Sequence, residues 1–76
     1  MEAAKLVRMA NQIAANFDYG PDQAKAVAGV VDHMRRFWSP MMLEELVEHQ
    51  AKGDGGLTAV AQMAVTQIAQ ERRAAR

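Results

Sequence analysis

Apolar positions recur three and four residues apart through most of this chain, and they resolve into four helical segments. The first spans about residues 2–17. Leu6, Ala10, Ile13 and Phe17 share one face with Ala3 and Met9 beside them, while Arg8, Asn11, Gln12 and Ala15 face away. The turn "DYGPD" stops it. Pro21 suits the first turn of a second helix, about 21–37 or 38, whose positive N-terminus Asp22 complements. Ala24, Val27, Val31, Met34 and Trp38 form its apolar face, with Val30 and Phe37 on the edge. Lys25, Asp32 and Arg36 line the other side. Asp32 and Arg36 make an acid-then-base pair four residues apart, worth a few tenths of a kcal/mol.

A third helix starts at a strong local signal, Ser39 as N-cap followed by Pro40 at the first helical position. Leu43, Leu46 and Val47 form its stripe, and Glu44, Glu45 and Glu48 a solvated acidic face. His49 and Lys52 fall in the last turn, where positive charge suits the dipole, and Gly53 closes the helix. "KGDGG" reads as a flexible linker. Thr58 then caps a fourth helix with Leu57, Val60, Ala61, Ala64 and Ile68 on one face. From about residue 70 the tail is expected to fray, because only alanine follows as an apolar residue. The pattern predicts one all-α domain over 1–76, a compact bundle of three to four short helices. Gly29, inside the second helix on its polar side, should cost roughly 0.5–1 kcal/mol relative to alanine. Either another backbone approaches there or the glycine is merely tolerated.

Size sharpens this picture. A chain of 76 residues without cysteine buries a small core, and small scaffolds usually gain support from disulfides, a metal or a partner. No disulfide can form. A metal site is not expected, since two histidines have no cysteine to complete one. A partner remains, identical or different.

Charge removes other classes. Nine basic side chains balance nine acidic ones, so the basic footprint of a nucleic-acid binder is missing. Arg35 and Arg36 could touch phosphates, but the glutamates of the third helix would repel them. No run reaches the length of a membrane span, and no apolar signal core follows Met1. The expectation is a cytoplasmic protein with no nucleic-acid or membrane partner. Catalysis finds no constellation either. A nucleophile needs a base within reach and an orienting group. Ser39 and Thr58 are explained as caps, Thr66 lies on a polar face, and His33 and His49 sit on different helices. "GDGG" resembles a phosphate loop only in composition.

What stands out is "HMRRFWSPMM", residues 33–42. The helical wheel assigns Met34 and Trp38 to the core face, and Ser39 and Pro40 to the next helix. His33, Arg35, Arg36, Phe37 and Met41 are left over. Trp and Arg are enriched in interface hot spots, and methionine adapts to interaction surfaces. His33, Arg35, Arg36, Phe37, Trp38 and Met41 are therefore the candidate partner-binding residues, with no catalytic, cofactor-binding or metal site expected.

Three blocks, "KLVRMANQIAANF", "AVAGVVDHMRRFWSPMM" and "GDGGLTAVAQMAV", resemble in order the delta subunit family of the cytoplasmic NAD-dependent formate dehydrogenase. The resemblance covers about residues 5–65. Its most specific parts are "RMANQIA", 8–14, and the run 27–40. It implies a non-catalytic accessory subunit, associated with assembly or stability, of a complex that oxidises formate to carbon dioxide and reduces NAD. In that complex the alpha subunit carries the molybdenum or tungsten cofactor. Beta and gamma subunits complete an electron path of iron–sulfur clusters and FMN. The delta subunit is expected to bind none of these groups and to dock on the alpha subunit. The absence of cysteine agrees, since a cluster needs thiolates. A more polar step after the tryptophan is expected of the family, with an acidic cap and a basic residue near position 41. Ser39 keeps the capping role, whereas Met41 changes the charge, so no ion pair to the alpha subunit is carried over there. The alternative is a self-associating helical adaptor or chaperone for another enzyme, a homo-oligomer that buries the same patch against its own copy.

Overall fold

In a computed structural model, which describes residues 3–18, 20–53 and 55–74, the chain forms four helices: α1 (Ala3–Phe17), α2 (Gln23–Phe37), α3 (Pro40–Ala51) and α4 (Ala59–Ala74). The all-α expectation holds. Tyr19 in the first turn, Asp54 in the loop, the expected start at Glu2 and the last two residues of the tail lie outside the described residues.

The helix boundaries follow from capping chemistry. α2 begins two residues later than the sequence predicts, because Asp22 is itself the N-cap: its carboxylate accepts the Lys25 N–H at 3.1 Å. Pro21 therefore precedes the cap. Ser39 caps α3 as expected, accepting the Met42 N–H at 3.3 Å, with Pro40 opening the helix. Gly53 closes it with a left-handed φ of 78°, a conformation glycine adopts without steric cost. Thr58 stands just before α4, and its carbonyl accepts the Gln62 N–H at 2.8 Å.

α2 and α4 pair most extensively, and α1 lies against all three other helices. Leu6, Val30, Val31, Met34, Leu46 and Val65 are the largest fully buried side chains, each stabilising by about 1.5–3 kcal/mol relative to exposure. Touching three neighbours turns the inward side of α1. Val7 and Ala14 are buried, whereas Ile13 and Phe17, expected on the core face, are half-buried at its edge. On α2, Ala26 is buried and Ala24 exposed. α4 continues to Ala74, past the point where fraying is expected, with Ile68 and Ala69 buried and Glu71 half-buried.

Candidate docking edge

Residues four apart on a helix share a face, and on α2 one such row is Gly29, His33 and Phe37. Gly29 has no side chain because a ring occupies that space. A Cβ there would lie 2.6 Å from Cδ1 of Phe17. The approach is thus real, but it comes from a side chain at the end of α1 and not from a backbone. Phe17 meets His33 edge-on, with centroids 6.5 Å apart and planes at 64°. His33 leans on Phe37 at 4.8 Å and 45°. The three rings form a ladder whose outer member, Phe37, is 70% exposed. Across the Ser39–Pro40 joint, Met41 in the first turn of α3 is 77% exposed.

The other candidate residues divide. Trp38 is buried, and its backbone N–H caps α2 by donating to the Met34 carbonyl at 2.9 Å. It belongs to the core cluster and not to the exposed edge, on the face it shares with Met34. Arg35 turns to α4, where its Nε donates to Oε1 of Glu71 at 3.0 Å and its Nη2 binds Oε2. The hydrogen bond to the guanidinium holds the Glu71 carboxyl below its ordinary value, and the same bond raises Arg35 further. Arg36 pairs with Asp32 on an exposed surface, Nε to Oδ2 at 3.2 Å, as their spacing predicts. The apolar edge is therefore Phe37 and Met41, backed by His33 and flanked by Arg36.

The sequence pattern did not reveal the residues that hold the far side. Asn11, which the wheel turns away from the core, reaches across to the loop before α4. Its Nδ2 donates to the Gly56 carbonyl at 2.7 Å, and its Oδ1 accepts the Thr58 N–H at 2.9 Å. His49 Nε2 lies 3.1 Å from the Gly55 carbonyl. Gln50 donates to the Gln62 carbonyl at 2.9 Å and to the Thr66 hydroxyl at 3.0 Å.

Among the described residues no group of three or more His, Asp or Glu could hold a metal ion, and no helix is long and apolar enough to cross a membrane. Fold and edge together define a small all-α domain with an exposed apolar rim. The family model of the NADH-dependent formate dehydrogenase delta subunit, FdsD, matches residues 5–65, and the chain belongs to that family. No curated protein and no solved structure matches it. The matched span holds the Asn11 clasp, the ring ladder and the Ser39–Pro40 joint; Glu71 lies beyond it.

Proposed function

We propose that this chain is a non-catalytic accessory subunit of a cytoplasmic NAD-dependent formate dehydrogenase, docking on the catalytic subunit to support assembly, stability or cofactor maturation. The family match over residues 5–65 carries this reading. The exposed Phe37 and Met41 supply the surface, since aromatic residues and methionine are enriched at interface cores. A subunit that binds the assembled state and not its separated parts stabilises the assembly by mass action. Without cysteine the chain has no thiolate to offer an iron–sulfur cluster. The molybdenum or tungsten cofactor, iron–sulfur clusters and FMN belong to the alpha, beta and gamma subunits.

Co-purification tests the reading. Tagged protein expressed in its native cell should bring down a large molybdenum- or tungsten-containing subunit. Capture without such a subunit overturns it. The double variant Phe37→Asp, Met41→Asp should keep the helical circular-dichroism signal and lose the capture.

A further inference from the structure

One exposed helix face differs from the rest. From Ala59 to Gln70, α4 carries no charged residue. Its solvent side is Ala59, Gln62, Met63, Thr66, Gln67 and Gln70, all exposed. The other helices all show charge to solvent: Lys5 and Arg8 on α1, Lys25, Asp32 and Arg36 on α2, Glu44 and Glu48 on α3. Depletion of charge marks the cores of interfaces. The six α4 residues, with Val27 of α2, line a shallow open groove of ≈ 600 Å³.

We propose that this face pairs with itself on a second copy of the chain, the two α4 helices lying antiparallel about a two-fold axis between Met63 and Thr66. A two-fold interface must be self-complementary. A face dominated by one sign of charge repels its own copy across such an axis, whereas the uncharged α4 face does not. Side-chain amides carry both donors and an acceptor, so glutamine pairs with glutamine. In this register Gln62 lies opposite Gln67 of the second copy, and Met63 lies opposite its Thr66. The Thr66 hydroxyl is already satisfied, donating to the Gln62 carbonyl at 2.9 Å and accepting from Gln50. Its methyl is then the group left for Met63. Orientation follows from the end of the helix. Arg73 continues the same face, so a parallel pair would bring two arginines together and align two helix dipoles.

Strength follows from size. Twelve helical residues rise about 18 Å and the helix is about 10 Å wide. That footprint falls short of the roughly 1,200 Å² of a stable interface, so the dimer is weak and concentration-dependent. Phe37 sits on the row of α2 that meets Phe17 of α1 through His33, whereas the α4 groove reaches α2 at Val27. The dimer leaves the docking edge open, and the inference does not rest on the proposed subunit role.

Sedimentation equilibrium on the isolated full chain, from micromolar to about 1 mM, should show mass rising toward twice the monomer. Met63→Arg, which sets two guanidinium groups at the axis, should weaken association at least roughly tenfold with an unchanged thermal melt. The chain has no cysteine, so engineered thiols report the register. An oxidised mixture of Gln62→Cys and Gln67→Cys should cross-link the two variants to each other faster than either to itself. A Lys25→Cys control should cross-link with neither. A native chain that stays monomeric throughout overturns the proposal, as does a Met63→Arg variant that dimerises normally. Preferential 62-to-62 or 67-to-67 linkage overturns the antiparallel register. Loss of large-subunit capture by Met63→Arg, with a monomeric native chain, would assign the face to another protein.

Discussion

The Arg35 guanidinium on α2 binds the Glu71 carboxylate on α4 through both of its oxygens, across 36 positions of sequence. Both side chains remain substantially exposed, 52% and 39%, so water screens the pair and its contribution to stability is small. Its sign with pH is definite. The carboxyl of Glu71 is held below its unfolded value, so the contribution is present above the ordinary glutamate range and is lost as pH falls through the lower folded value. The urea midpoint of Glu71→Gln should lie slightly below that of the native chain at pH 7. The gap should close in acid and narrow in high salt.

Asn11→Ala should destabilise the domain by about 1–3 kcal/mol, because two hydrogen bonds at the start of α4 vanish together. The Thr58 amide proton should lose exchange protection first. A protected Thr58 amide in the variant would show that the loop is held by something else.

Trp38 and Phe37 are adjacent and should behave oppositely. Trp38→Ala empties a core position and should cost about 3–5 kcal/mol, enough to unfold a small domain. Phe37→Ala removes an exposed ring and should leave stability within about 0.5 kcal/mol while weakening capture of the large subunit. Arg36→Glu should also spare the fold, at a cost of a few tenths of a kcal/mol against Asp32. Unchanged capture by Arg36→Glu would remove it from the edge.

At Gly29 two effects oppose. Alanine gains roughly 0.5–1 kcal/mol of helix stability, and its Cβ displaces a ring that now lies 2.6 Å away. Phe17 is half-buried at a helix end and can move. Gly29→Ala should therefore change stability by less than about 1 kcal/mol yet shift the His33 ring resonances in NMR, because the Phe17 ring leaves its edge contact.

The parts legible in the sequence were the ones decided locally. Ser39 and Pro40 set the start of α3 with atoms within three residues of each other, and the Asp32–Arg36 pair needs only helical spacing. The all-α architecture follows from apolar periodicity alone. What stayed hidden depends on distant partners. Nothing near Asn11 shows that its amide meets Gly56 and Thr58, 45 and 47 residues away. Arg35 read as a partner-facing cation because Glu71 sat in a tail without apolar residues to hold it. Trp38 fitted both the core face and the candidate patch, and its burial agrees with the face that the wheel gives it beside Met34. Phe37 and Met41 were placed correctly as residues that the apolar stripes leave over.

The Asn11 clasp also fixes where α4 begins independently of how the chain arrives there. Asn11 grips the backbone at Gly56 and Thr58, downstream of the glycine-bearing connection that leaves α3. The length of that connection does not set the register of the last helix. Closing a longer loop adds only about 0.6 kcal/mol per doubling. A short epitope or fluorophore-binding sequence spliced in directly after Gly53 should thus be accommodated, giving a reporter position in the connection between α3 and α4.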